Sequence, residues 1–259
     1  MAGIVERRVS AAGPWSRRLA SFAAMLFVVS GLGHRYGAVE TVAFLWLLGL
    51  VGALAIAALC AAAVGFSDLW EHGARGGRDS TFGTLMALVV LAPFLVSGWR
   101  FYAYPRLTDV STDLIAPPQL PLAARERAGA MNPIVPPTPS EIDLQIDAYP
   151  EVTGRRYEAA PDRVLEAILA EARLRGWSVR SAPSMPVDAV ELTVEAVAYS
   201  FFLGFPADVA IRLTDETATT YVDMRSVSRY ARHDLGDNAR RVANFLAALD
   251  TALKGQPLE

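Results

Sequence analysis

Hydrophobic and polar residues follow three different rhythms along this chain. The first is a pair of long apolar runs: Thr41 to Phe66 has 26 residues without a charge, and Ser80 to Trp99 has 20. At about 1.5 Å per residue, either run as a helix crosses a hydrocarbon core of roughly 30 Å. Leu19 to Gly33 adds a shorter run of 15. It lengthens to about 18 if His34, Arg35 and Tyr36 reach the interface, where an arginine can snorkel to the headgroups. Residues 1–103 therefore predict a bundle of three transmembrane helices, at about 19–36, 41–66 and 80–99. A cleaved signal peptide is the alternative for the first. Its positive flank fits, but "VVSGLGHRYG" offers no clean small-x-small cleavage site. Trp15, Tyr36, Trp70, Trp99, Tyr102 and Tyr104 fall at the span ends, as an aromatic belt would. Gly49, Ala53, Ala57, Ala61 and Gly65 recur every four residues, a stripe along which helices can approach closely.

The second rhythm is irregular. Residues 117–150 hold 8 of the 16 prolines, and a segment of that kind, 104–150 in full, is predicted to be extended rather than helical. It reads as a spacer or as a strap across the following domain. Leu144, Ile146 and Tyr149 in "LQIDAYP" favour some docking.

The third rhythm, over 151–259, is that of a folded α+β unit. "RRYEAAPDRVLEAILAEARLRGWSV" reads as a short strand, then a helix opened by Pro161 and Asp162 and stopped by Gly176. Val164, Leu165, Ile168, Leu169 and Ala172 share one helix face. "ELTVEAVAY", "DVAIRL" and "YVDMRSVS" alternate as strands, with "LTDETATT" as a polar hairpin turn. The order β-α-β-β-β-β-α predicts an antiparallel sheet with two helices on one face. Val209, Ile211, Leu213, Val222 and Met224 would look toward the helices, and Asp208, Ala210, Arg212, Asp223 and Arg225 away from them.

Charge refines this picture. The net charge is −3, yet residues 1–99 carry 7 arginines against 5 acids, and the remainder 17 basic residues against 22 acids. No basic nucleic-acid footprint is present. Arg7, Arg8, Arg17 and Arg18 precede the first run and Arg75 and Arg78 lie in the 67–79 loop, whereas only Arg35 separates the first two runs. That asymmetry predicts a cytoplasmic N-terminus and a C-terminal domain on the outer, periplasmic face of a bacterial inner membrane. Cys60 stands alone, so neither an intrachain disulfide nor a cysteine zinc site is available.

The segment Ser226–Leu249 concentrates the candidate chemistry. Its bland reading is a helix from Leu235 to about Leu253, capped by Asp234 with Asp237 in the capping-box position. Three stretches, "YPRLTDVSTDLIAPPQL", "AYPEV" and "VDMRSVSRYARHDLGDNARRVANFLAAL", together resemble the bacterial family called domain of unknown function 1499, over roughly residues 104–250. The resemblance implies no established activity, and members often carry a preceding membrane-spanning region. Arg225, Ser226, Ser228, Arg229, Asp234, Gly236, Asn238 and Arg241 fall on its recurring positions, while His233 falls where the pattern is loose.

Three functions can be set against these residues. An outer domain that binds a lipid or another anionic or apolar envelope component would use Arg225, Ser226, Ser228, Arg229, Asp234, Asn238 and Arg241, with Phe201 and Phe202 of the apolar "FFLGFP" as contacts or as core. An assembly subunit would pack the small-residue stripe on a partner membrane protein. A hydrolase would pair His233 and Asp234 with Ser226 or Ser228. No nucleophile elbow, HExxH or phosphate-cradling loop supports the last, and no cofactor is implied. Asp109, Asp113 and Asp223 would suit a hard cation, or would pair with arginines.

Overall fold

The computed structural model describes residues 10–180 and 190–254. Arg7 and Arg8, two of the arginines used above for orientation, lie outside them. The chain divides into two compact units, 1–99 and 100–259.

The first unit is helical: α1 (Ala12–Arg35), α2 (Thr41–His72) and α3 (Gly77–Ala103). By length and composition, α2 and α3 are apolar enough to cross a membrane, and α1 is not among the helices that pass. Two candidate spans therefore stand where three were expected. Arg17, Arg18 and Arg35, with His34 and three serines, dilute the apolar character of α1. Instead α1 packs on its neighbours through small residues. Ala20 and Ala23 join Val51, Ala55, Ala58, Ala87 and Val90 in one buried cluster, and the buried Ser16 hydroxyl donates to the Ala58 carbonyl at 2.8 Å. Gly83 admits this approach, since a Cβ there would overlap Ser16. The buried face of α2 is thus Val51, Ala55, Ala58, Ala62 and Gly65. The expected stripe reaches this face only at Gly65; Gly49, Ala53 and Ala57 are exposed. Trp15, Tyr36, Trp70, Trp99 and Tyr102 are exposed, whereas Tyr104 packs against the core of the second unit.

The second unit is an α+β domain. Its strands are β1 (Asp109–Ser111), β2 (Arg155–Tyr157), β3 (Ser178–Val179), β4 (Glu191–Tyr199), β5 (Pro206–Asp215) and β6 (Thr220–Ser228). They form one antiparallel sheet in the order β1-β6-β5-β4-β3, with β2 also paired to β6. The long helices α6 (Pro161–Leu174) and α7 (Asp237–Lys254) cover one face, as expected. Val164, Ile168, Val242, Phe245 and Leu249 meet Val209, Ile211, Leu213, Val222 and Met224 in a single core, and Trp177 stacks on Phe245 at 5.0 Å between ring centres.

The proline-rich segment is a strap over the opposite face, and it is not uniformly extended. It contains α4 (Pro121–Glu126) and α5 (Pro139–Ala148). Proline begins both, at the helix position whose N–H has no intrahelical partner. Thr138 and Glu141 close a capping box on α5. Because α5 is helical, Gln145 and not its neighbours turns inward. Its amide exchanges two hydrogen bonds with the Ser111 backbone, at 3.1 and 2.7 Å. Leu144 and Ile146, expected to dock, are exposed, while Tyr149 is buried as expected.

Candidate functional site

Alternation along β6 divides the sequence-predicted residues between two faces. Ser226 and Ser228 point to α7, and Arg225 points to the strap. On the helix side, the fully buried Asn238 ties the elements together. Its amide nitrogen donates to the Thr108 carbonyl (3.0 Å) and to Ser228 Oγ (2.9 Å). Its amide oxygen accepts from Ser226 Oγ (2.9 Å) and Arg241 Nη1 (2.6 Å). All four hydrogen-bonding positions of this side chain are therefore used within the domain. Arg241 also donates to Ser226 Oγ at 3.0 Å, and burial lowers its pKa. Among the described residues it forms no ion pair; α7 orients it onto β6.

Asp234 caps α7 by a route different from the one expected. Leu235 and Gly236 take left-handed backbone (φ 56° and 74°), so the helix starts at Asp237. The Asp234 carboxylate accepts from the Gly236 and Asn238 amides, both at 2.9 Å. Its own N–H goes to the Leu107 carbonyl, and Asp237 pairs with Arg100 and Arg240 instead of completing a capping box. Gly236 is required twice over: its φ is left-handed, and a Cβ would lie 2.7 Å from the Tyr104 ring. Burial raises the Asp234 carboxyl above its ordinary value, against the two amides that favour the charged form.

On the strap side, charge replaces apolar packing. Asp208 is fully buried and meets Arg127 and Arg229 at 2.7 Å each, with Arg180 at 3.8 Å. Arg225 grips Asp109, the closest approach being 2.6 Å, and Arg212 bridges Asp113 and Asp223. The same arginines donate to strap carbonyls: Arg212 to Ala116, Arg225 to Pro118 and Val135, Arg127 to Asn132. Glu195 accepts the Leu122 and Ala123 amides at the start of α4, both at 3.0 Å. This layer closes on a cavity of about 10 Å³ lined by Asp109, Glu141, Gln145 and Arg225, among others. One water molecule would fill it. Burial raises the Asp109 carboxyl although Arg225 opposes the shift. Burial also acts to raise Asp113, but the Ala116 and Ile115 amides and Arg212 outweigh it, and the net shift is down.

The geometry bears on each chemical reading. Both nitrogens of the buried His233 ring are engaged: Nδ1 accepts the Leu235 amide at 3.0 Å, so Nε2 is the atom that donates to the Phe101 carbonyl at 3.1 Å. Ser226 and Ser228 bond to Asn238, and the nucleophile–base hydrogen bond that a hydrolase would need is not formed. Asp109, Asp113 and Asp223 are held by arginines, and among the described residues no cluster of three metal-ligating side chains occurs. Apart from these, Phe201 and Phe202 sit at the turn between β4 and β5, 93% and 64% exposed. They are not core. Nothing in the local pattern marks the parts played by Arg127, Glu195 and Gln145, each of which has a partner 34 to 101 residues away. The one available signal was the proline-rich segment itself, whose carbonyls need donors from elsewhere.

These features define a class: an antiparallel sheet with helices on one face and a salt-bridged strap on the other, preceded in the chain by apolar helices. The family model described as "Protein of unknown function (DUF1499)" matches residues 109–249, more than half of the 259. The chain belongs to that family. The match takes in the strap, the sheet and most of α7. A search of the curated proteins finds no match.

Proposed function

We propose that the chain is a membrane-anchored cell-envelope protein whose α+β domain engages a lipid or other apolar envelope component through the turn at 200–205. The observation that carries this reading is the exposure of Phe201 and Phe202 on a turn that is itself well fastened. The Ser200 amide donates to the Phe205 carbonyl, the Phe205 amide to Ser200 Oγ and the Gly204 amide to the Ser200 carbonyl. Two neighbouring aromatic side chains presented on a fixed loop mark a contact surface more often than a scattered apolar residue does. Elsewhere on the domain, the polar residues suggested by the sequence spend their hydrogen bonds internally. The two apolar helices supply the anchor. The arginine asymmetry favours an N-terminus and a 67–79 loop in the cytoplasm, with the domain on the outer face of the inner membrane, an orientation that needs α1 to cross as a third span.

Native mass spectrometry of the full-length protein, released from its own membranes, tests this. A mass adduct carried by the wild type and lost in the Phe201→Ser/Phe202→Ser variant is the expected result, with far-UV circular dichroism unchanged. Identical adducts on both proteins would remove the turn from the binding reading.

A further inference from the structure

The geometry points to a second lipid site, an anionic phospholipid headgroup held in a groove at the N-terminal end of α1. This inference rests on the membrane-anchored reading. The groove has a volume of about 550 Å³ and lies within the helical unit, lined by Arg17, Arg18, Ser21, Phe22, Met25 and Asp79 among others. Its chemistry is graded along the helix. The guanidinium groups and the Ser21 hydroxyl stand at one end, and Phe22 and Met25, 50% and 60% exposed, continue one and two turns deeper. A diacyl lipid has the same gradient, a phosphate above the first methylenes.

The two arginines are not equivalent. Arg17 is paired with Asp79 at 3.1 Å and lies over the Phe82 ring. Arg18 lies 5.7 Å from the Trp15 ring centre, and among the described residues no carboxylate pairs with it. Arg18 is thus the cation available to a phosphate, with Arg17 reachable if Asp79 is displaced. Trp15, 56% exposed, is an amphipathic ring of the kind found at headgroup level. A zwitterionic headgroup would bring its own ammonium against the arginines; a headgroup with net negative charge would not. Basic pockets beside spanning helices bind anionic headgroups on these grounds.

The test uses full-length protein mixed with vesicles of phosphatidylcholine and phosphatidylglycerol in equal parts. Vesicle flotation reports insertion, and native mass spectrometry of the extracted protein reports which lipid is retained. Wild type should float and retain phosphatidylglycerol preferentially. Arg18→Gln should still float but lose that preference by roughly fivefold, the factor that corresponds to about 1 kcal/mol per arginine near a membrane surface. Asp79→Asn, which frees Arg17, should increase the preference, a gain that misfolding cannot imitate. Arg78→Gln removes an equal charge outside the groove and should change it little. Equal losses in Arg18→Gln and Arg78→Gln, or no preference in an inserted wild type, would overturn the groove site and leave the anchor standing. Failure of the wild type to float would overturn the anchor and the groove site with it.

Discussion

The two faces of the β-sheet are held by different physics. On the helix face, Val209, Ile211, Leu213, Val222 and Met224 pack against α6 and α7 in one continuous apolar core. On the strap face the apolar cluster shrinks to Leu120, Ala123, Ala210 and Val227 with Ile134 beside them. Ion pairs and carbonyl-directed arginines do most of the remaining work there. The reason lies in the covering segment. A helix satisfies its own backbone and needs only an apolar surface beneath it, whereas a proline-rich strap leaves carbonyls that must find donors. Arginine suits that task, because its planar fork can bind a carboxylate and a carbonyl together. Arg225, Ser226, Ser228, Arg229, Asp234, Asn238 and Arg241 therefore act, in this chain, as fasteners of two dissimilar layers.

The largest expected effect lies on the helix face. Phe245→Ala removes a fully buried ring stacked on Trp177 and should cost about 3–5 kcal/mol in a denaturant titration. No single compensating change should restore it. The strap face should behave differently. Asp109→Ala leaves Arg225 buried without its carboxylate and should cost about 3 kcal/mol, whereas Asp109→Leu combined with Arg225→Met should cost less than Asp109→Ala alone. A double variant that costs as much as Asp109→Ala or more would erase the distinction drawn between the faces.

The smallest effect is that of pH. Asp109 and Asp234 bind their protons more tightly in the folded chain than at the ordinary value of 3.8. Between their raised values and 3.8, a falling pH puts more protons on the folded than on the unfolded state, so these two groups add stability on acidification. Asp113 and Glu216 work the other way, with Glu216 drawn down to about 2 by Arg156 and Thr219. Their contribution is present above the ordinary carboxylate values and is lost as pH falls through the lowered ones. Asp109→Asn should therefore gain less stability than the wild type as the pH falls towards 3.8, measured by denaturation at stepped pH. An unchanged slope would show that Asp109 does not titrate high.

Much of the domain was legible from period alone. β4, β5, β6 and α6 lie where the alternating and helical patterns place them, because each buries a face long enough to show its repeat. β1 was missed because three residues cannot display alternation; it exists by virtue of its pairing with Val227, Ser226 and Arg225. The helices α4 and α5 were missed because proline was read as a breaker when Pro121 and Pro139 are helix starters, and "TPSE" at Thr138–Glu141 held the capping-box signal in plain view. The candidate site was legible as a set of residues but not as a place. Arg225 and Ser226 are adjacent in sequence and lie on opposite sides of the sheet, Arg229 belongs with Asp208, and Phe201 and Phe202 sit apart from all of them. Which charge meets which depends on where the strap lies, and no periodicity records that.

The measurement that goes most directly to the centre sets the turn against the motif in one lipid-adduct experiment. Full-length wild type, Phe201→Ser/Phe202→Ser and Arg225→Lys would be compared by native mass spectrometry, with near-UV circular dichroism to confirm packing. If the turn is the contact and the motif a fastener, the phenylalanine variant loses the adduct with its packing intact, and Arg225→Lys keeps the adduct at some cost in stability. Loss of the adduct in a well-packed Arg225→Lys, with none in the phenylalanine variant, would contradict the proposal and move the binding site to the strap face.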